Sequence, residues 1–209
     1  MQNKIYILAL AIVMITAFSC KKQEDLSIDK IDNGEVSFSP LEVGNYWIYE
    51  VSLMDKTGQL TFVEIDSTYI VGTKDFNGNT YYEYNSSTSA TYKQYLRDSA
   101  SYLIDEKGEK FFYHKNNADT IEEQKIEAFG YLISHIYRVI YHHDELVKCV
   151  AGDFPAIEAR YTIEFPLIST KTTSYNFYSL DIGLILRADA ADVNGNRNIF
   201  SMMRWGKAE

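Results

Sequence analysis

Along most of the chain, apolar and polar residues alternate with period two. In residues 60–71, Thr61, Val63, Ile65, Ser67, Tyr69 and Val71 fall on one side and Phe62, Glu64, Asp66, Thr68 and Ile70 on the other. This is the spacing of a strand whose successive side chains point to opposite faces. Asn77-Gly78-Asn79 then predicts a turn, because Asn and Gly tolerate the positive φ of a tight hairpin, and residues 80–84 predict the returning strand. A second hairpin is expected from residues 101–104 to 110–113, across Asp105-Glu106-Lys107-Gly108-Glu109. Residues 156–165 read as another long strand, with Ile157, Ala159, Tyr161, Ile163 and Phe165 opposed to Glu158, Arg160 and Glu164. A last pair, residues 183–188 and 198–205, is joined by a loop holding Asn194-Gly195. Strands recurring at such short spacing predict an antiparallel sandwich or barrel.

One segment departs from this rhythm. Thr120-Ile121-Glu122-Glu123 has capping-box spacing, and Ile126, Phe129, Ile133, Ile136 and Ile140 repeat at intervals of three and four, which predicts a helix from about Ile121. Its end stays open, since residues 136–141 fit a helix or a strand equally. The expected fold is therefore mainly β, a curved antiparallel sheet or incomplete barrel with one packed helix, in a single domain over residues 40–209.

The N-terminus has a different character. Lys4 is followed by residues 5–18, uncharged and mostly aliphatic. That run is shorter than the roughly 20 residues a membrane-spanning helix needs, and it fits the apolar region of a secretory signal. Thr16-Ala17-Phe18-Ser19-Cys20 resembles a bacterial lipobox, and the Ser-Cys-Lys-Lys ending is similar to lipoproteins of Gram-negative Bacteroidota. The resemblance implies a signal peptide of residues 1–19, cleavage before Cys20, a diacylglycerol on its sulfur and acylation of the new α-amine. Each buried methylene contributes about 0.8 kcal/mol, so several chains on Cys20 hold a protein at a membrane permanently. Glu24-Asp25 resembles the short export tags of such lipoproteins. The expected location is the outer membrane, on its surface or periplasmic face. Residues 20–39, polar and containing Asn33-Gly34, read as the acylated Cys and a flexible tether.

Composition narrows the functional classes. The chain has 209 residues, 46% hydrophobic and 23% charged, enough for one sizeable core. Twenty basic against 29 acidic residues give −9, and loss of Lys4 with the signal leaves 19 against 29, or −10. Such a balance repels phosphate backbones and excludes nucleic acid as a partner. Seventeen Tyr and 11 Phe favour pleated sheets. Of the two Cys, Cys149 remains beside Cys20, and its apolar, strand-like surroundings predict a buried, inert thiol.

Pro40-Leu41-Glu42-Val43-Gly44-Asn45-Tyr46-Trp47-Ile48-Tyr49 resembles the opening strand "P-L-x-V-G-N-x-W-x-Y" of a group of secreted bacterial proteins without assigned activity. Ala151-Gly152-Asp153-Phe154 and Asp181-Ile182-Gly183-Leu184-Ile185 resemble the "A-G-x-F" and "x-G-L-I" signatures of the same group. The likeness implies a curved antiparallel sheet partly wrapped around helices, similar to the half-barrel of periplasmic lipoprotein carriers.

Residues with catalytic or binding chemistry are sparse. His142-His143-Asp144-Glu145, with His135 and His114 upstream, has metal-ligand residue types, but adjacent His side chains diverge on a strand or a helix and do not share one ion. No metal site and no cofactor are expected. A glycosidase needs two carboxylates facing across about 5–9.5 Å. Glu64 with Asp66, and Glu158 with Glu164, share strand faces that read as solvated exteriors. There is no Gly-x-Ser-x-Gly elbow and no Gly-rich phosphate loop, so no catalytic residue is assigned. Tyr81, Tyr82, Tyr84, Tyr92, Tyr95 and Tyr102 form either a platform for sugar rings or acyl chains, or ordinary cross-strand pairs. Asp66-Ser67-Thr68, Asp98-Ser99-Ala100 and Asp119-Thr120-Ile121 resemble the O-glycosylation acceptor of exported Bacteroidota proteins, with Ser99 and Thr120 preferred to Ser67.

The expected function is a non-enzymatic binding module anchored to the membrane, its ligand a glycan, a lipid or another envelope protein. The alternatives are an envelope glycan hydrolase with facing carboxylates and a lipid-binding half-barrel.

Overall fold

A computed structural model describes residues 40–88, 93–113, 119–143 and 145–207. The signal peptide, Cys20, the tether, Tyr92, His114 and Asp144 lie outside the described residues. The strands are β1 (Asn45–Met54), β2 (Leu60–Phe76), β3 (Asn79–Ser86), β4 (Lys93–Ser99), β5 (Tyr102–Asp105), β6 (Lys110–Tyr113), β7 (Thr120–Ala128), β8 (Tyr131–His142), β9 (Val147–Cys149), β10 (Gly152–Phe154), β11 (Ile157–Phe165), β12 (Thr170–Ser179), β13 (Gly183–Ala188) and β14 (Arg197–Lys207). Twelve join one antiparallel sheet in the order β6-β5-β4-β3-β2-β1-β14-β13-β12-β11-β8-β7, and β9 and β10 form a separate hairpin. The antiparallel meander matches the strands read from the period-two segments.

The sheet curls until its two edges, β6 and β7, lie side by side, giving a nearly closed barrel. Among the described residues, contacts of side chains rather than a backbone ladder bridge this seam. Arg138 of β8 donates one guanidinium nitrogen to the Lys110 carbonyl and holds Glu109 at 3.1 Å, while the Lys110 N–H donates to Glu122 of β7 at 3.1 Å. The Arg138 guanidinium lies between the rings of Phe111 and Tyr161, 4.8 and 4.9 Å from their centroids. A planar, weakly hydrated cation suits this buried position because it can stack and donate at once. The edges that would otherwise invite pairing with another chain are thereby covered.

Turn chemistry fixes the register. Asp55, Asp105 and Asp192 each accept the backbone N–H groups of the residues two and four further on, at 2.8–3.0 Å. Gly58, Gly108 and Gly195 then supply φ of 85°, 85° and 86°. This one Asp-x-x-Gly-x loop closes the β1–β2, β5–β6 and β13–β14 hairpins. β1, β5 and β13 run in the same direction, so all of these loops cap one end of the barrel. Tighter turns at Asn77-Gly78, Ala100-Ser101 and Phe129-Gly130 have positive φ at both residues, the pattern that matches strand twist.

The helix expected from Ile121 does not form. Residues 120–142 are the β7–β8 hairpin, turning at Phe129-Gly130. Irregularities in the β7–β8 pairing between Thr120 and Glu122 and between Ile126 and Glu127 each slip the register, so a period-two pattern acquires spacings of three and four that imitate a helix. The β-branched Ile side chains fit the pleated alternative. Among the described residues the one helical element is a 3-10 turn at Pro166–Ile168.

The three short sequence signatures, in residues 40–49, 151–154 and 181–185, meet where the sheet splits. β13 pairs with β14 only at Leu186↔Ser201, Arg187↔Phe200 and Ala188↔Ile199. Beyond those pairs, the Trp47 indole N–H donates to the Ile182 carbonyl at 2.6 Å and the Tyr49 hydroxyl to the Leu184 carbonyl at 2.9 Å. Asn45 ties back to the Pro40 carbonyl at 2.7 Å, and Gly183, at φ 89°, lies against Pro40 and the Trp47 ring. On the β14 side, the β9–β10 hairpin enters the gap: Ala151 donates its N–H to the Met202 carbonyl at 2.8 Å and Val150 to the Ser201 hydroxyl at 2.9 Å. The "W-x-Y", "G-L-I" and "A-G-x-F" residues therefore complete hydrogen bonds that the split ladder leaves open.

Candidate functional site

The interior of the barrel is mostly filled by side chains, with Ile140, Ile185 and Met202 fully buried. It retains a cavity of about 200 Å³. Trp47, Tyr49, Tyr84, Leu96, Leu103 and Phe111 supply much of its apolar wall, and the Trp47 and Tyr84 rings stack at 5.8 Å. Polar groups from both halves of the sheet enter the same space: Asp66 and Thr68 from β2, Gln94 from β4, Asn176 from β12 and Arg187 from β13.

The register accounts for this convergence. Asp66 is opposite Tyr49, and Asn176 is opposite Arg187, so each polar residue takes an inward position on its strand. Asp66, 8% exposed, accepts hydrogen bonds from the Ser86 and Ser87 hydroxyls at 2.9 and 3.3 Å. The Arg187 guanidinium stacks 3.6 Å over the Phe200 ring. Asp189 lies 3.0 Å from Arg187 Nε, yet Nε has no hydrogen-bond partner: the carboxylate balances its charge without satisfying the donor. The side-chain carbonyl oxygen of Asn176 is likewise buried without a donor.

The sequence did not single out this pair or Asp66 as cavity groups. Glu64 and Asp66 are expected together on a solvated face; Glu64 is exposed, but Asp66 is buried, while Val63, Ile65 and Val71 of the opposite alternation are exposed. Glu158 reverses a similar expectation. It is 3% exposed, with His143 Nε2 at 2.8 Å and Arg160 Nε at 2.6 Å, and the Arg160 guanidinium lies over the Tyr141 ring at 4.3 Å. The hydrogen bond from Arg160 to Glu158 raises the Arg160 pKa above its ordinary value. An alternating Glu-Arg stretch can be covered when rings and a His close over it.

The tyrosines do not make one platform. Tyr84 lines the cavity, and Tyr82 packs on the core. Tyr81 and Tyr95 meet Phe76 edge-on at 5.6 and 5.0 Å, with Lys74 near Phe76 and Tyr95. Tyr102 stacks on Tyr113 at 4.4 Å, and burial followed by the Tyr113 and Asp119 charges pushes its hydroxyl pKa up. These are cross-strand aromatic contacts.

Of the acceptor triplets, Ser99 is buried at 8% exposure, Ser67 is half-buried and Thr120 is exposed at the start of β7. Cys149 is buried, and desolvation raises its thiol pKa. Among the described residues no group of three His, Cys, Asp or Glu side chains is placed to hold a metal ion. His135 instead pairs with Glu123 at 2.8 Å.

The fold and its interior define a nearly closed antiparallel barrel with a small, mixed cavity. Among solved structures it is similar to a protein assigned as exported, with a YmcC-like fold, from Bacteroides fragilis: TM-score 0.52, 16% identity, 82% of this chain and 100% of that one covered. A protein assigned as a lipoprotein from Parabacteroides distasonis aligns at TM-score 0.41 and 14% identity over 83% of this chain and 100% of its own. The first of these shows a shared fold. No protein-family model matches the chain, and no curated protein matches it.

Proposed function

We propose that this is a lipid-anchored protein of the bacterial envelope, held at the outer membrane through Cys20, whose barrel binds a ligand without transforming it. The observation that carries the binding part is the interior cavity, lined both by the Trp47, Tyr49 and Tyr84 rings and by Asp66, Thr68, Gln94, Asn176 and Arg187. Of the cavity groups named above, Asp66 is the one carboxylate, and it accepts two hydroxyl hydrogen bonds. A retaining or inverting glycosidase would need a second carboxylate across the cleft. Among the described residues side chains fill most of the barrel interior, which favours a small ligand over an acyl chain, and a permanent anchor suits a resident protein better than a carrier. The apolar run ending at Cys20 carries the anchoring part, and the exported assignment of the Bacteroides fragilis neighbour is in keeping with it.

Intact mass of the mature protein extracted from membranes tests the anchor. The expected mass is that of a triacylated chain starting at Cys20, and Cys20→Ala is expected to abolish the acyl increments. A soluble, unacylated wild-type product would overturn the assignment. In the same spectra, hexose increments lost in Thr120→Ala would identify the exposed acceptor triplet as the modified one.

A further inference from the structure

We propose that the barrel end formed by the β1–β2, β7–β8, β11–β12 and β13–β14 connections docks on the lipid surface to which the chain is anchored, pressing apolar turn tips into a zwitterionic headgroup layer. This rests on the reading of Cys20 as a lipid anchor and adds how the barrel lies on the membrane.

Topology gathers the tips. Neighbouring strands of the large sheet are antiparallel, and β1, β7, β11 and β13 run in the same direction, so the connections that follow them share one end. Phe129 stands in the β7–β8 turn, Leu167 and Ile168 in the β11–β12 turn and Val193 in the β13–β14 loop, while Leu60 and Tyr131 open β2 and β8. Leu60, Tyr131, Leu167 and Ile168 are 56–70% exposed, Phe129 is 89% exposed and Val193 fully so. The Pro166–Ile168 turn packs against β8, and Gly195 lies against Lys56, so adjoining connections stand side by side. At the opposite end the turns at Asn77-Gly78, Ala100-Ser101 and Leu180-Asp181-Ile182 have one exposed large apolar side chain among them, Leu180.

Phe129 is the sharpest case. A bulky residue at φ 54° is strained, and its ring lies in water, so neither the turn nor the core accounts for an aromatic residue there. Entry into an apolar phase gives the ring a favourable environment.

Chain length and charge favour a bilayer as the occupant. Cys20 and Pro40 are twenty positions apart, and twenty residues reach at most about 66–72 Å. β8, with 12 residues, rises about 40 Å. Pro40 precedes β1 at the end away from the tips, and the chain from the anchor is long enough to pass the barrel and let the tips meet the membrane. Within that reach, tips of low individual affinity act at high effective concentration. Asp55 with Lys56, and Glu106 with Lys107, put both signs of charge at this end, while Glu127 and Asp192 add negative charge. That mixture suits headgroups carrying a cation and an anion and disfavours anionic lipid. The tips need enter only the boundary of headgroups and acyl chains, about 5–10 Å deep, where water still reaches the turn backbone.

The experiment reconstitutes the full mature chain, acylated, in phosphatidylcholine vesicles with one nitroxide label at a time on Ile168→Cys, Val193→Cys or Asn79→Cys, the last at the opposite end. Intact mass of the same samples reports the acyl chains. Labels at 168 and 193 are expected to show an oxygen-to-nickel-complex accessibility ratio at least threefold above that at 79. In a second arm the unacylated Cys20→Ser chain is sedimented with the same vesicles at millimolar lipid. It is expected to partition measurably, and Phe129→Asn/Ile168→Ser/Val193→Ser to lower the partition coefficient at least tenfold with the melting temperature equal or higher. Equal accessibility at the three labels on an acylated chain would overturn the docking and leave the anchor standing. An unacylated wild-type mass, with partition that depends on the tips, would overturn the anchor and leave the docking standing. Partition that is absent, unchanged in the triple variant or stronger on phosphatidylglycerol would overturn the docking. Labels shielded from oxygen and nickel complex alike would show contact with a second copy of the chain and overturn it too.

Discussion

Replacing Trp47 with Phe keeps an aromatic ring beside Tyr84 but deletes the indole N–H that donates to the Ile182 carbonyl at 2.6 Å. Ile182 lies just before β13, where the ladder to β14 is missing, so no neighbouring strand replaces the lost donor. An acceptor left without its partner away from solvent costs about 1–3 kcal/mol. Shrinking the ring from indole to phenyl removes roughly 40 Å² of apolar burial, or about 1 kcal/mol at 25 cal/mol/Å². The expected loss is about 2–4 kcal/mol, toward the lower end if water enters the adjoining cavity and reaches the carbonyl. The assay is urea denaturation of the mature Cys20→Ser chain. Fluorescence reports it, since Trp47→Phe leaves Trp205 as the sole tryptophan. An unchanged denaturant slope with a lowered midpoint would place the effect in the folded state. A loss below about 0.5 kcal/mol would refute the view that Trp47 closes the split ladder.

Further outcomes are expected elsewhere. Gly183→Ala should destabilise by about 1–2 kcal/mol in the same denaturation assay, because φ of 89° is unfavourable for any residue with a Cβ. Phe129→Asn should raise the melting temperature through a gain of about 0.5–1 kcal/mol, since an exposed Phe at φ 54° sits where Asn is better tolerated. Arg138→Met should cost about 3 kcal/mol by leaving the Lys110 carbonyl and Glu109 unpartnered at the seam, with faster amide exchange in residues 110–113 as the local readout. The pKa of Asp192 is lowered from 3.8, first by the Asn196 N–H, and that of Asp55 first by the Thr57 hydroxyl. A carboxylate with a depressed folded pKa contributes stability that is present above its unfolded value and lost as pH falls through the folded one. Denaturation midpoints measured from pH 6 to pH 2.5 should therefore fall below about pH 4, and less steeply in Asp55→Asn/Asp192→Asn than in the parent.

Local rules in the sequence determined a good deal of this protein. Period-two alternation identified β2, β11 and the final hairpin, and Asn77-Gly78 identified the β2–β3 turn, because side-chain direction along a strand and positive φ at a turn depend on a few neighbouring residues. The order of Lys4, apolar run and Cys20 is a local pattern too, and its reading as an anchor signal lies outside the described residues. Tertiary structure decided the rest. Ile126, Phe129 and Ile133 carry helix-like spacing, and only the register slips against β8 and the Phe129-Gly130 turn make them part of a hairpin. Asp66 and Glu158 looked like surface carboxylates, yet one faces into the barrel and the other lies beneath His143 and Arg160. Asn176 and Arg187, eleven positions apart in sequence, line the same cavity because β12 and β13 align them as partners. A pattern of alternation tells which residues share a face. Which face becomes the interior is set by how the whole sheet closes.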